Sequence, residues 1–428
     1  MSTTVDTLEA HERAEDIRIP ISWKMPIIYG LATLLSLYFA LNSDGVAEFV
    51  WKQIRPSRDG GNLLLHADQT VWILTAVIAL AAAYSVFRAI RRQKQPLWLG
   101  IIILLALVLA FLTFQGGGSG RYITIAFLFA ATITAAQPLI FGAMAGVVCE
   151  RVGVVNIAIE GQLLVGAFTG VVVASATANP WLGLLAAPLA GALIGSLLAF
   201  FSVKYAVDQI IVGVVLNVLC LGLTSFLLGT IIRDTPTWNS IQYSLPQWEV
   251  PGLSKIPFIG PVFFNQTIIT YILYVALIVL TIMLFRSRWG LRMRAVGEHP
   301  KAADTVGINV NRTRVLNTIL GSAFAGLGGA SFTIGANAVF TENISAGNGY
   351  IALAAMILGK WHPIGAMGAA LMFGFASAIV DFLPLVATTP IDPNLLAMIP
   401  YVVTILAVAG FVGKSRAPAA ENVPYIKS

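Results

Sequence analysis

Charge is what this sequence has least of. Only 11% of its 428 residues are Asp, Glu, Lys or Arg, whereas 57% are hydrophobic and the mean hydropathy is +0.82. A water-soluble domain cannot bury that share of apolar side chain, so the composition excludes a soluble globule and points to a polytopic membrane protein. Cysteine is almost absent: Cys149 and Cys220 lie in or beside apolar runs, where they read as small packing residues and carry no redox information. The four histidines, His11, His66, His299 and His362, fall in separate segments with no metal-ligand spacing between them. No nucleophile–base arrangement stands out. A phosphate-binding loop is also missing. Gly413, Lys414 and Ser415 imitate its end, but Val408 stands where the pattern needs glycine, and the run closes an apolar segment instead of opening a helix after a strand. The chain therefore has no visible means of hydrolysing ATP itself. Its formal charge of +6 is no nucleic-acid signal, because the basic residues cluster at the ends of apolar runs.

What the sequence does have is a series of membrane-length apolar segments. They fall at roughly 25–41, 70–90, 97–114, 121–147, 158–178, 181–203, 209–232, 267–285, 315–338, 364–383 and 395–412. Residues 1–24 mix Glu9, Glu12, Glu15 and Asp16 with Arg13, Arg18 and Lys24, unlike a cleaved signal peptide, and form a cytosolic tail. Arg88, Arg91, Arg92 and Lys94 mark a cytoplasmic loop, which places the amino terminus inside and the loop 42–69 outside. The glycines Gly116, Gly117, Gly118 and Gly120 predict a flexible outer link. They separate a three-helix section, 25–120, from a core over 121–413, with a cytosolic tail over 414–428. The Pro- and Trp-rich stretch 233–266 predicts an ordered outer cap.

The segment 350–359 is only half a span, and the run 359–365 (GKWHPIG) reads as a break. A short leg over 349–359 followed by a return over 364–383 brings the last span to an end inside, beside Lys414 and Arg416. The expected fold is all-α: about ten transmembrane helices plus one short broken or re-entrant helix. Small residues recur at helix-packing spacing, as in Gly142/Gly146, Gly166/Gly170 and Gly191/Gly195, with a dense cluster over 321–335.

The loop 286–314 holds Arg286, Arg288, Arg292, Arg294, Lys301, Arg312 and Arg314 against Glu298 and Asp304, and alternation of the spans places it inside. Within it, Pro300 suits a first helical position and Gly307 a C′ position, predicting a helix over roughly 300–306. Such a helix is about 10 Å long at ~1.5 Å per residue, too short to span, and stands as a rigid handle on the wet face.

Polar residues inside apolar runs are the candidates for a path. Asn156 and Glu160 open a span. Asn156 can cap the helix while Glu160 answers its dipole, or the two can act in the path or its gate. Asp208 reads as the N-cap of the span after it. Asn217 lies near mid-membrane and must find a partner, and Asn317 and Ser322 occupy a similar place in a later span. Each of these can be an interhelical hydrogen bond or pathway lining. Amides and hydroxyls without paired carboxylates suit a neutral or weakly polar solute. Glu342, Asn343 and Asn348 lie just before the short leg, either as a solvated loop or as contacts for an external delivery protein.

Four stretches, in order and at consistent spacing, resemble one family. They are 149–161 (CERVGVVNIAIEG), 208–217 (DQIIVGVVLN), 295–310 (AVGEHPKAADTVGINV) and 349–365 (GYIALAAMILGKWHPIG). The sequence is similar to permease subunits of bacterial ABC importers for nucleosides and simple sugars, a group related to branched-chain amino-acid permeases. It departs from their pattern at Ala158, where glycine is common, and at His299, a frequent asparagine. The resemblance covers roughly 121–413 and leaves the first 120 residues without a counterpart.

The resemblance implies a transmembrane subunit of the bacterial cytoplasmic membrane, with both termini cytoplasmic. Its partners would be a second, homologous permease, two ATP-binding subunits and a substrate-binding lipoprotein. The cofactors, ATP and Mg, would belong to the ATP-binding subunits and none to this chain. It further implies a coupling role for Glu298, Pro300, Ala302, Ala303, Asp304 and Gly307, and its version of the 150–161 motif is nearest to nucleoside permeases. The rival readings are a branched-chain amino-acid ABC permease and an ion-coupled secondary transporter. The latter wants intramembrane ionisable groups, whereas Glu160, Asp208 and Asp381 lie near span ends.

Overall fold

The computed structural model describes residues 23–50, 62–337, 339–386, 392–411 and 416–426. Most of the amino-terminal tail, part of the loop 42–69 and the Gly413, Lys414, Ser415 run lie outside them. Among the described residues, ten helices are long and apolar enough to cross a membrane, so the fold is that of an all-α polytopic membrane protein. The chain divides into two units.

The first unit takes in residues up to 50, 56–123 and 383–390. Its helices are α1 (Lys24–Leu41), α2 (Ala67–Ile90) and α3 (Leu97–Gly116). Tyr29, Ile78, Ala82, Leu99, Ile103 and Ala106 form its core. Ser36 and Thr75 satisfy each other's buried hydroxyls at 2.6 Å. The segment between α1 and α2 holds an antiparallel hairpin, β1 (Val46–Val50) on β2 (Leu63–His66), with Val46 opposite His66. The glycine run is a packed corner. A Cβ on Gly117 would lie 2.5 Å from the Asp44 carbonyl, and the Gly118 N–H bonds the Val46 carbonyl at 3.4 Å. Glycine there serves close approach, where the sequence suggested flexibility.

The second unit holds the remaining helices. They are α4 (Ile125–Glu150), α5 (Ile159–Ala176), α6 (Pro180–Ala199), α7 (Gln209–Leu227), the five-residue α8 (Ile259–Phe263), α9 (Ile268–Arg286), α10 (Arg288–Glu298), α11 (Pro300–Thr305), α12 (Val310–Phe332), α13 (Asn348–Leu358), α14 (Pro363–Val386) and α15 (Pro393–Phe411). Helix α12 packs on α4, α5 and α6. Backbones meet there because the side chains are small: a Cβ on Gly166 would fall 2.2 Å from the Gly326 carbonyl. The stretch 233–266 is ordered, as its Pro and Trp content predicted. It holds short turns, α8, and a strand pair of β3 (Gln247–Glu249) with β4 (Asn265–Thr267), and Trp248 packs edge-on against Tyr271.

The expected break is present. Helix α13 has 11 residues, about 16 Å at ~1.5 Å per residue and roughly half a bilayer core. It ends in a turn where Lys360 and Trp361 take positive φ before Pro363 opens α14. Helix α10 was not expected. Its apolar positions Gly290, Met293 and Val296 recur every three residues and are buried, but they are scattered among arginines that dominate the local composition.

Candidate functional site

Two places bring the candidate residues together: the chain break ahead of α5, and the handle α11.

Helix α4 ends at Glu150 and α5 begins only at Ile159, so the intervening segment runs non-helical through the protein interior. Non-helical backbone buried in protein needs partners for its polar groups, and side chains supply them here. Asn156 is fully buried and does not cap α5, since Ala158 holds the N-cap position. It instead forms a reciprocal amide pair with Gln162, two bonds of 3.0 Å. Asn217, on α7, accepts the Gly161 N–H at 2.8 Å and donates to the Ile157 carbonyl at 2.9 Å and the Tyr350 hydroxyl at 3.2 Å. One amide thus fastens the end of the break and the first turn of α5 to α7 and to α13.

Glu160 does not serve its own helix alone. Its carboxylate accepts from the Ser345 hydroxyl at 2.6 Å, the Gly347 N–H at 2.8 Å and the Gly349 N–H at 2.6 Å. Those N–H groups open α13, so the charge sits at the positive end of the half-helix. The other end of α13 is tied to the same stretch of chain. The Trp361 indole N–H donates to Glu150 at 2.5 Å, and Arg151 donates to the Trp361 carbonyl at 3.0 and 2.9 Å.

Asn317 and Ser322 stand apart from this network. The Asn317 amide bonds back to the Thr313 carbonyl at 2.7 Å, while its own oxygen is buried without a partner among the described residues. Ser322 is fully buried against Gly195, where α6 meets α12. Glu342 and Asn343 are exposed, whereas Asn348 donates to the Ser345 carbonyl inside the turn that Glu160 caps. Sequence reading missed Gln162, Ser345 and Tyr350. Gln162 follows Glu160 in the same motif and could have been found by its polarity. A cleft of about 560 Å³ beside α9 and α12, lined by Val275, Val279, Met283, Leu320 and Phe324, offers a polar solute almost no hydrogen bonds.

Helix α11 has Pro300 in its first turn and closes on Gly307 at φ +83°. The Ile308 N–H bonds the Ala303 carbonyl at 3.1 Å and the Gly307 N–H bonds the Asp304 carbonyl at 2.9 Å, the double bond pattern of a glycine-terminated helix. Ala303 is buried and Pro300 and Asp304 are half-buried, while Glu298, Lys301, Ala302, Thr305 and Gly307 are exposed. Val306 is 75% exposed, an apolar tip on an otherwise polar surface that the sequence reading did not single out. Asp208 caps α7 as expected, accepting from Ile210 and Ile211 at 2.9 and 3.1 Å. The Ile211 N–H holds its carboxyl below the ordinary range. Burial works against that lowering, and Asn422 and the Ile210 N–H add to it.

The profile of the family described as the branched-chain amino acid transport system / permease component matches residues 128–408. The chain belongs to this permease family. Among curated relatives, the permease is 45% identical over 307 residues to the guanosine ABC transporter permease protein NupQ of Bacillus subtilis, covering 69% of this chain and 95% of that one. It is 41% identical to the nucleoside ABC transporter permease protein NupC of Lactococcus lactis, over 71% of this chain and 98% of the relative. A putative glucose ABC transporter permease protein, TsgC13 of Haloferax volcanii, is 33% identical over 58% of this chain and 75% of its own length. No solved structure matches. Apart from residues 383–390, the permease match falls within the second unit, and it stops short of the ordered segment 416–426.

Proposed function

We propose that this permease is the membrane subunit of an ATP-driven, binding-protein-dependent importer of nucleosides. The observation that carries the reading is the pairing of two features. One is similarity over nearly the whole length of nucleoside and guanosine permeases. The other is a rigid six-residue helix with an exposed face of Ala302, Thr305 and Val306, a shape that can enter a groove on another protein. ATP-binding subunits would grip α11 from the cytoplasm and bind the ATP and its Mg. A second permease would complete the path, and a lipoprotein would deliver solute from outside. Both termini are assigned to the cytoplasm on the distribution of basic residues. The exposed Glu342 and Asn343 are the proposed contacts for the delivery protein. The path is assigned to the surroundings of the α5 break, where amides, a hydroxyl and the Tyr350 ring meet a neutral, hydrogen-bonding solute.

An ion-coupled mechanism is disfavoured because both oxygens of Glu160 are engaged in capping α13. The test is uptake into proteoliposomes holding the full transporter, with radiolabelled guanosine, glucose and leucine compared. ATP-dependent guanosine uptake is expected, and Ala302→Arg should abolish it together with ATPase co-purification. Uptake of leucine without guanosine would return the substrate to the one in the family's description. Uptake driven by an ion gradient without ATP would overturn the mechanism.

A further inference from the structure

Residues 416–426 are held by every element that surrounds the handle. The Ala420 N–H donates to the Gly297 carbonyl at 2.8 Å, and the Ala419 N–H to the Glu298 carboxylate at 3.3 Å. The Tyr425 hydroxyl lies beside the Asp304 carboxylate of α11, and the Asn422 side chain beside Asp208 at the start of α7. The Glu421 carboxyl meets that of Glu150, at the end of α4. Pro418 and Ala420 are buried.

The largest fully buried side chain in the described protein is also committed to this segment. Arg314, on α12, is 1% exposed. Its guanidinium donates to the carbonyls of Val423 at 2.8 Å, Ala420 at 3.4 Å and Val152 at 3.1 Å. A buried guanidinium is costly unless its donors are met, and here carbonyl oxygens meet them. Two of those three acceptors belong to the segment, and the third opens the non-helical stretch ahead of α5. Gly153, the next residue, has φ +82°, and a Cβ there would lie 2.8 Å from the Ala420 carbonyl and 2.9 Å from the guanidinium. The neighbouring turn is shaped to let the segment in.

We propose that this carboxy-terminal segment is a strap that makes α11, the turn after α4 and the start of α7 move as one body. Motion delivered at the handle then reaches Asn156, Glu160 and Asn217 through side-chain and backbone bonds, in addition to the helices flanking the loop. The proposal rests on the coupling role given to α11 above. In that role Asp304 acts through Tyr425 and the strap, and Tyr425, Asn422 and Arg314 are positioning residues.

The experiment measures guanosine imported per ATP hydrolysed, in proteoliposomes carrying the full transporter. Two variants are compared with the parent: a truncation after residue 416, and the double substitution Asn422→Ala/Tyr425→Phe. The double variant cuts the side-chain links and leaves the Arg314 and Gly297 bonds that hold the backbone. Both should retain the ATP-binding subunit and hydrolyse ATP, while the import-to-hydrolysis ratio falls by roughly two- to thirtyfold. An unchanged ratio in the double variant overturns the strap, and so does loss of the ATP-binding subunit from it, which would make the segment part of the docking face. If the truncated chain cannot be recovered, the double variant decides. Ala302→Arg separates this from the underlying reading. Should it leave import intact, α11 is not the docking site. Should it abolish import while the strap variants keep full coupling, only the strap falls.

Discussion

Asn217 makes three hydrogen bonds with one amide, and no residue of similar volume can copy both its donor and its acceptor sides. Replacing it by leucine would leave the Gly161 N–H and the Ile157 carbonyl without partners in the interior. A loss of about 1–3 kcal/mol is expected, read as a lowered unfolding midpoint in detergent. Glu421 is the residue through which pH enters. Burial raises its carboxyl above the ordinary carboxylate range, and the hydrogen bond with Glu150 offsets part of that rise. A carboxyl raised in the docked state favours docking when protonated. Docking of 416–426 is therefore strongest below the ordinary carboxylate pKa and weakens as pH climbs through the raised value. Around it, Arg314 is committed to carbonyls, and the Asp208 carboxyl, lowered in part by Asn422, favours docking when ionised, an opposing trend confined to pH below the ordinary carboxylate range. Hydrogen exchange at the Ala420 amide, corrected for its intrinsic rate, should accelerate with pH in the parent, and Glu421→Gln should flatten that dependence.

At the level of elements, α11 was legible because its two ends are written in single residues. Proline fixes the first turn, and Gly307 accepts the left-handed conformation that closes the last. Gly307→Ala keeps the side chain small but places a Cβ at φ +83°. It should cost roughly 1–2 kcal/mol of local stability. Exchange at the Ile308 amide should then rise by about tenfold for each 1.4 kcal/mol lost, with α12 unchanged. Helix α10 was not legible, although its buried positions follow a helical period. Four arginines between 286 and 294 made the stretch look like pure loop. The lesson is that a short amphipathic helix lying along a membrane surface is read from spacing, where average polarity conceals it.

Across the whole molecule, the membrane class, the helix count and the break at 359–365 could be read from composition and punctuation, because bilayer thickness dictates segment length. The bonds between distant segments could not. Glu160 sits in the first turn of α5, and everything in its local sequence suits a charge serving its own helix. The donors it meets lie 185 to 189 residues further along the chain. The docked tail was hidden for a similar reason. The stretch APAAENVPYI has no hydrophobic period, and its attachment depends on main-chain carbonyls meeting an arginine 106 and 109 residues upstream. Sequence pattern reports what a residue prefers locally, and these sites were built by pairing across the fold.

Helix α13 is moored at both ends to the chain around a single turn, by Glu160 at its start and by Glu150 and Arg151 just beyond its end. A piece of helix fixed at bow and stern cannot slide along its neighbour. On the path proposed above, an opening would swing the half-helix and the turn together, like a door carried with its frame. The slack for that swing has to come from the backbone on either side: the stretch leading in from α12 and the chain beyond Trp361, where α14 begins.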